Sequence, residues 1–201
     1  LGLGTVGTGI AKLIADNAEV ISARLGAALK IKKAADLDID RERGVAFEAD
    51  VLTTDPYEVV NDPDIDIVLE MIGGKGIASE LIIKAIENGK HIVTANKALL
   101  AETGNDIFKL ASEKGVCLAF EASVGGCMPI IKTLRESLAG NNIEAVTGIL
   151  NGTCNYILTK ITNEGVAFEE DLNDAQAEGF AEADPSLDVD GYDAAHKLTV
   201  L

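Results

Sequence analysis

Gly2-Leu-Gly4-Thr-Val-Gly7 is the stretch that decides the fold, because it fits the G-x-G-x-x-G pattern of a turn that binds a dinucleotide. In that pattern the first glycine allows a tight turn and the second lets a pyrophosphate approach the backbone. The third glycine lets the following helix pack close to a sheet, with its N-terminal N–H groups pointing at the phosphates. A glycine-rich turn without a ligand is the alternative interpretation.

The residues that follow this turn alternate between helical and extended patterns. Helices are predicted at about 4–16, 18–25, from 55, 77–87 and 106–113, and strands at about 29–35, 65–72, 91–94 and 116–120. Short connections between such elements are typical of an α/β fold with a doubly wound parallel sheet of the Rossmann type. We predict an NAD(P)-binding domain at residues 1–123, in which the first strand is truncated.

Residues 124–201 are predicted to form part of a second domain of the α+β class. The pattern predicts helices at about 129–137, 153–163, 169–179 and 191–201, and a strand at about 143–150. The last helix carries Ala194, Leu198 and Leu201 on one apolar stripe, and such a stripe needs a partner surface. We therefore expect the chain to be a fragment at both ends.

The composition argues against several classes of partner. The 201 residues include 17 basic and 33 acidic side chains, a net charge of −16, which disfavours binding to nucleic acid or to an anionic membrane. No signal peptide and no apolar run of about 18 residues is present. The three cysteines, Cys117, Cys127 and Cys154, have no C-x-x-C spacing, so we predict free thiols in a cytoplasmic protein.

Two further segments bear on cofactor binding. Asp36 ends the second predicted strand, where an acidic residue binds the ribose hydroxyls of NAD. Arg41 and Arg43 follow closely enough to bind the 2′-phosphate of NADP instead, so the choice between NAD and NADP stays open. Lys97 follows a strand at the edge where α/β sheets bind ligands. It is either a ligand contact or an ordinary exposed lysine at the start of a helix.

The segment from Glu182 to Lys197 combines five carboxylates with one lysine. Asp193 and Lys197 are four residues apart, and a surface ion pair at this spacing contributes about 0.3–0.5 kcal/mol. Lys197 also lies at the edge of the apolar stripe, which suits the wall of a cleft. There an amine can transfer a proton to a polar substrate that carboxylates hold. Asp184 and Asp190 are predicted to be turn and helix-cap residues.

Five segments of the chain resemble homoserine dehydrogenase in the same order, and the resemblance extends over essentially all 201 residues. They are residues 2–7, 94–97, 120–131, 148–156 and 182–197. The resemblance implies the NAD(P)-dependent interconversion of L-homoserine and L-aspartate 4-semialdehyde by hydride transfer, in the biosynthesis of threonine, methionine and isoleucine. It also implies a homodimer. The alternatives are a non-catalytic dinucleotide-binding module and another Rossmann amino-acid dehydrogenase.

The resemblance also implies roles for individual residues. The predicted cofactor site, with Asp36 included, consists of Gly2, Gly4, Thr5, Val6, Gly7, Asp36, Ile72, Gly73, Lys97 and Gly179. Glu182 and Asp193 would bind the substrate with support from Asp188. Lys197 would be the general acid and base, and Lys97 the second catalytic lysine. A monovalent cation, Na⁺ or K⁺, is expected beside Glu121, Val124, Gly126 and Met128, with Gly179 and Glu182 nearby. Cys127 stands where a glycine is common, so the cation loop is expected to be altered.

Overall fold

Parallel strands alternate with helices in the first part of the chain, and helices dominate the second part. The structure, a computed structural model, describes residues 1–48, 50–179, 181 and 184–201. The chain divides into two units, Leu1–Ala122 and Ser123–Leu201.

The strands of the first unit are short and all of their pairings are parallel. They are β1 (Ala34–Ala35), β2 (Leu52–Thr53), β3 (Ile67–Glu70), β4 (His91–Thr94) and β5 (Leu118–Ala119). β1 pairs with β2, while β4 lies between β3 and β5. Ala34 lies opposite Leu52, and Ile67 lies opposite His91.

The backbone of residues 1–2 joins these two sets of strands. The Gly2 N–H donates to Ala35 O at 2.8 Å on one side. On the other side the Leu1 nitrogen donates to Leu69 O at 2.8 Å, and the Met71 N–H donates to Leu1 O at 2.8 Å. The spatial order is therefore β2, β1, residues 1–3, β3, β4, β5, which is the strand order of a dinucleotide-binding sheet.

The first unit contains five helices among its described residues. They are α1 (Thr5–Asp16), α2 (Ala18–Leu25), α3 (Tyr57–Val60), α4 (Gly76–Glu87) and α5 (Lys97–Lys114). α4 packs on β3 and β4 and buries Leu81, Ile82 and Ile86 completely. Burying a side chain of this kind contributes about 1.5–3 kcal/mol relative to leaving it in water.

The described residues of the second unit are helical apart from connecting segments. A short 3₁₀ helix at Glu121–Ser123 crosses the boundary. It is followed by α6 (Ile130–Lys132), a π-helical turn (Thr133–Ser137), α7 (Gly152–Glu164), α8 (Phe168–Ala177), α9 (Ser186–Val189) and α10 (Tyr192–Val200). α7 and α8 pack together, around a small core of Ile157, Ala175 and Ala181.

The predicted fold class is confirmed, but several predicted elements differ from the structure. Residues 143–150 form no strand, and Ile143, Val146 and Ile149 are exposed. An extended segment needs a hydrogen-bonding partner to become a strand, and no other described segment pairs with this one. The strand predicted at 29–35 is reduced to Ala34–Ala35, and α9 was not predicted.

The helix predicted at 106–113 is also wrong at its start, because α5 begins nine residues earlier, at Lys97. The Asn96 side chain accepts the Leu99 N–H at 3.2 Å and so caps the first turn. This cap stabilises a helix start in a polar segment, where the weak apolar pattern did not predict one. No helix in the described part of the chain is long and apolar enough to cross a membrane.

Candidate functional site

The glycine turn, residues 2–7, has the steric demands that its sequence predicts. Gly2 has a φ of +85°, and a Cβ there would lie 2.7 Å from Met71 O. A Cβ on Gly7 would lie 2.0 Å from Gly2 O. At Gly4 no other atom lies within 4 Å of the Cβ position. Packing within the chain therefore requires Gly2 and Gly7, whereas Gly4 leaves open space in which a phosphate can approach the backbone at the start of α1.

Asp36 directly follows β1 and accepts a hydrogen bond from the glycine turn. Its Oδ2 accepts the Leu3 N–H at 2.6 Å, and its Oδ1 accepts the Asp38 N–H at 3.0 Å. Burial acts to raise the pKa of the Asp36 carboxyl, but these N–H groups and the charges of Arg43 and Arg41 outweigh it and hold that pKa below its ordinary value of 3.8. The group is therefore a carboxylate at neutral pH, as a ribose-binding residue requires.

Arg41 and Arg43, which bear on the choice between NAD and NADP, have different environments. The Arg43 side chain is only 4% exposed, and its Nη2 lies 3.2 Å from Asp36 Oδ1. Its Nε donates to Leu3 O at 3.1 Å, and other N–H groups donate to the carbonyls of Arg41 and Asp38. Arg41 is exposed. Arg43 is thus a clamp that holds the glycine turn to Asp36, and Arg41 is the arginine accessible to a ligand.

The strand order identifies where a ligand crevice opens in the first unit. The order along the chain reverses between residues 1–3 and β3, and α/β sheets bind their ligands beyond the carboxyl ends of the strands at such a point. The glycine turn leaves the sheet on one side of this point. On the other side lies the β3 exit loop, residues 71–74, in which Ile72 is 41% exposed. The structure thus brings the predicted cofactor residues Ile72 and Gly73 to the same edge as the glycine turn.

A polar cluster in the second unit surrounds Asn151. Its Nδ2 donates to Asp188 Oδ1 at 2.7 Å and to Asp193 Oδ2 at 2.8 Å. Lys197 Nζ donates to the same Asp193 oxygen at 2.6 Å and to Leu150 O at 2.7 Å. We call Asn151, Asp188, Asp193 and Lys197 the Asn151 cluster.

Burial distinguishes the Asn151 cluster from a surface ion pair. The side chains of Lys197 and Asp193 are 21% and 9% exposed, and Asn151 is buried. Lys197 also borders a cavity of about 490 Å³ whose wall is mainly apolar. The alternative of an ordinary solvated pair at positions i and i+4 therefore does not describe these residues.

Two family models match the chain. One, described as the NAD binding domain of homoserine dehydrogenase, matches residues 2–121, and the other, described as homoserine dehydrogenase, matches residues 129–201. The chain belongs to the homoserine dehydrogenase family. The predicted family resemblance is confirmed by these matches and by those that follow.

Relatives in this family match the whole chain. The homoserine dehydrogenases of Neisseria gonorrhoeae and Pseudomonas aeruginosa are 53% and 50% identical over 201 and 200 residues. The match covers 100% of this chain but 46% of each relative. The chain thus spans about half the length of the curated relatives it matches.

Solved structures of the family have the same fold. A homoserine dehydrogenase from Thiobacillus denitrificans gives a TM-score of 0.91 at 51% identity, covering 99% of this chain and 46% of that one. A hyperthermophilic archaeal homoserine dehydrogenase in complex with NADPH gives 0.84 at 29% identity, covering 99% and 66%.

The residues that the family resemblance assigns to a cation are divided between the two units. Glu121 belongs to the first unit, and Val124, Gly126 and Met128 belong to the second. Val124 is buried and Met128 is 61% exposed. Cys127 has a φ of +66°, a conformation that costs a non-glycine residue free energy and that a glycine would adopt without strain.

Three other residues were predicted to belong to the site: Lys97, Gly179 and Glu182. Lys97 is the first residue of α5 and is half-buried. Gly179 follows α8 in the second unit, with a φ of +81°. Glu182 lies outside the described residues. Among the residues that are described, no three His, Cys, Asp or Glu side chains are grouped to hold a metal ion.

Several polar residues of the first and second units were not predicted from the sequence to belong to a site. In the second unit, Thr153 Oγ1 donates to Asp188 Oδ2 at 3.0 Å, and Asn151 Oδ1 accepts the Cys154 N–H at 2.8 Å. In the first unit, Glu70 and Thr94 are buried completely. A glutamate in the apolar strand pattern around residues 65–72 was the available signal for Glu70. Asn151 lies in a segment that the family resemblance contains, but its partners are 37 and 42 residues away.

Burial and charge also affect the Cys154 thiol. Its Sγ donates to Asp188 O at 3.2 Å. Burial first, and then the negative charges of Asp188 and Asp193, raise the pKa of Cys154 above its ordinary value of 9.0. Cys154 is therefore a protonated, weakly reactive thiol at neutral pH.

Proposed function

We propose that the protein carrying this chain interconverts L-homoserine and L-aspartate 4-semialdehyde, with NAD or NADP as the hydride carrier. The observation that carries the proposal is the Asn151 cluster, in which a half-buried lysine donates to the Asp193 carboxylate and Asn151 links that carboxylate to Asp188. A reaction that forms or consumes an alkoxide needs one group that transfers a proton. The substrate's ammonium group needs carboxylates, which the same cluster supplies.

The first unit supplies the residues for the cofactor. The N–H groups at the start of α1 would bind the pyrophosphate beside Gly4, and Asp36 would bind the adenosine ribose. Thr5 and Val6, the first residues of α1, would flank the pyrophosphate. Ile72, Gly73 and Lys97 would serve the nicotinamide half. When bound, the nicotinamide accepts or returns the hydride.

Lys197 is the residue we propose to move the proton. An ammonium has three N–H groups, and two of them donate to Asp193 Oδ2 and Leu150 O. We assign the third to the substrate oxygen, since the described residues give Lys197 Nζ two hydrogen-bond partners. During aldehyde reduction Lys197 would protonate the new alkoxide, and during alcohol oxidation its neutral amine would remove the hydroxyl proton.

The carboxylates would hold and orient the substrate. Asp193, together with Glu182, would bind the ammonium group of homoserine. Asp188 would act through Asn151, whose amide ties it to Asp193.

We further propose that Lys97 takes part in catalysis. Gly179 would serve the cofactor site. Glu121, Val124, Gly126 and Met128 would hold Na⁺ or K⁺ mainly through main-chain oxygens.

We also infer the setting of this activity from the family. The complete protein would act as a cytoplasmic homodimer in the biosynthesis of threonine, methionine and isoleucine. The NADPH complex of the archaeal relative supports NADP as one usable cofactor, and Asp36 supports NAD.

The test is the formation of NADH or NADPH at 340 nm by the complete natural protein. L-homoserine should give a signal with at least one of the two cofactors, whereas L-serine, L-threonine and L-alanine should give rates at least about tenfold lower. A stronger signal with another amino acid would favour a different amino-acid dehydrogenase. Cofactor binding without any turnover would favour a non-catalytic dinucleotide-binding module.

A further inference from the structure

Glu70 is a buried carboxylate at the ligand-binding edge of the sheet, and the proposed function assigns it no role. It is the last residue of β3, and its side chain is completely buried. A buried carboxylate is costly unless hydrogen bonds compensate for the water it loses. The identity of its partners therefore shows what the group is for.

The hydrogen-bond partners of Glu70 among the described residues lie at the carboxyl ends of β3 and β4. Oε1 accepts the N–H groups of Ile72 and Gly73, each at 2.9 Å. Oε2 accepts the Thr94 hydroxyl at 2.7 Å. One side chain thus holds the β3 exit loop to the end of the neighbouring strand.

Asn96 closes this network from the β4 side. Its N–H donates to Thr94 Oγ1 at 3.0 Å, and its Nδ2 donates to Gly74 O at 2.7 Å. Gly73 and Gly74 have φ values of +77° and +70°, which glycine adopts at little steric cost. Glycine also loses more conformational freedom on folding than any other residue. The loop conformation therefore depends on the side chains that hold it.

The held loop lies on the second side of the ligand crevice. The glycine turn and Asp36 occupy the adenosine side, where the strands are residues 1–3 and β1. A dinucleotide crosses such a crevice, so its other half lies over β3 and β4. The backbone of this half is the part that Glu70 fixes.

We propose that Glu70 is a positioning residue for the nicotinamide half of the cofactor. It acts by presenting the loop of Ile72, Gly73 and Gly74 in one conformation before the cofactor arrives. Such preorganisation raises affinity by removing the entropic cost of ordering the loop on binding. The inference rests on the proposed function only in taking the ligand to be a nicotinamide dinucleotide.

The test compares two ligands that share the adenosine half. NAD(H) or NADP(H) carries the nicotinamide, whereas ADP-ribose, or its 2′-phosphate if NADP is preferred, does not. In the complete protein, Glu70→Ala should weaken binding of the reduced cofactor by about tenfold or more, because the loop becomes disordered. Binding of the ADP-ribose ligand should change by less than about threefold, because its contacts lie on the other side of the crevice.

Two further variants separate positioning from folding. Glu70→Gln keeps an oxygen for both loop N–H groups and an amide that can donate to Thr94, so it should bind both ligands within about threefold of the unsubstituted protein. Lys90→Met removes another buried charge of the same sheet, whose Nζ donates to Ile65 O at 2.8 Å at the opposite end of β4. It should lower stability without distinguishing the two ligands.

The results decide between the inference and its rivals. A loss confined to the nicotinamide-bearing ligand in Glu70→Ala, with recovery in Glu70→Gln, supports the positioning of the loop. Equal losses for both ligands, no loss, or a loss in Glu70→Gln as large as in Glu70→Ala would overturn it. If the unsubstituted protein binds neither ligand, the proposed function fails, and the inference fails with it.

Discussion

The glycine turn and the Asn151 cluster are built from different parts of the chain. The glycine turn presents backbone N–H groups, and its shape depends on positions where a side chain would collide, such as Gly7. The Asn151 cluster consists of side chains whose donors and acceptors meet only when α7, α9 and α10 pack together. A backbone site is thus encoded locally, whereas a side-chain site is encoded by packing.

The largest effect that tests this comparison is expected at Lys197. Lys197→Ala in the complete protein should lower kcat by about 10²–10⁴, because it removes the group that transfers the proton. Affinity for NAD(P)H, measured by fluorescence titration, should stay unchanged. Lys160 provides the matched control, because its side chain is 22% exposed, close to the 21% of Lys197, and its Nζ pairs with Asp174 Oδ2 at 2.8 Å, outside the Asn151 cluster. A fall below tenfold in Lys197→Ala, or an equal fall in Lys160→Ala, would remove the proton-transfer role.

The next effect concerns the backbone site. Gly7→Ala places a Cβ 2.0 Å from Gly2 O, so the glycine turn must shift, and we expect NAD(P)H affinity to fall by about 10- to 100-fold. Gly9 lies in the same helix with no atom within 4 Å of its Cβ position. Gly9→Ala should therefore leave affinity intact and raise the free energy of unfolding by up to about 1 kcal/mol. Equal behaviour of the two variants would show that the turn is not sterically fixed.

Asn151 provides an intermediate effect, in which capping can be separated from bridging. Asn151→Ser keeps a good N-cap for α7 but loses the amide that joins Asp188 to Asp193. We expect kcat/KM for homoserine to fall by about tenfold while the melting temperature changes little. Asn151→Ala should lose the same activity and about 1 kcal/mol of stability in addition. Full activity in Asn151→Ser would mean that the residue only caps the helix.

The two arginines beside the glycine turn should have smaller and distinguishable effects. Arg41→Ala should weaken NADPH binding by about three- to tenfold and leave NADH binding unchanged, because an exposed arginine can pair with the 2′-phosphate. Arg43→Ala should weaken the binding of NADH and of NADPH to a similar extent, because Arg43 holds Leu3 and Asp36 together. Loss of NADPH binding in Arg43→Ala alone would reverse this assignment.

The smallest effect is a change in thiol reactivity at Cys154. Burial, Asp188 and Asp193 raise its pKa above 9.0, so the thiolate, the reactive form, accumulates only at a pH above that value. In a Cys117→Ser, Cys127→Ser background, the iodoacetamide alkylation rate should still be rising at pH 9. The same protein in urea should react with the ordinary thiol profile, at lower pH. A folded-state plateau below pH 9 would contradict the shielding of Cys154.

Much of the fold could be predicted from the sequence, because its determinants are local. Glycine spacing predicted the turn, alternation predicted the parallel sheet, and Gly26 and Gly115 end α2 and α5 in the left-handed conformation that favours glycine. The strand at 143–150 was wrong, because apolar alternation predicts a strand only where a neighbouring strand is available to pair with it.

The candidate site was predicted less completely than the fold. Asp193 and Lys197 were singled out by their spacing and Asp188 by the family resemblance, and the structure places them together with Asn151. Asn151 and Glu70 were missed because their function depends on partners that packing or a loop turn brings to them. The paired glycines at 73 and 74 were visible in the sequence, but nothing local predicts that a buried carboxylate holds them.

The position of residues 1–3 inside the sheet has a consequence for the order in which the protein is made. Leu1 pairs with Leu69, 68 residues further along the chain. During synthesis at about 5–20 residues per second, the glycine turn therefore waits several seconds for β3. Closing a loop of this length costs about 4 kcal/mol of chain entropy, which must be recovered when β3 docks. The phosphate-binding turn is thus synthesised well before its neighbouring strand and reaches its final shape only when β3 docks beside it.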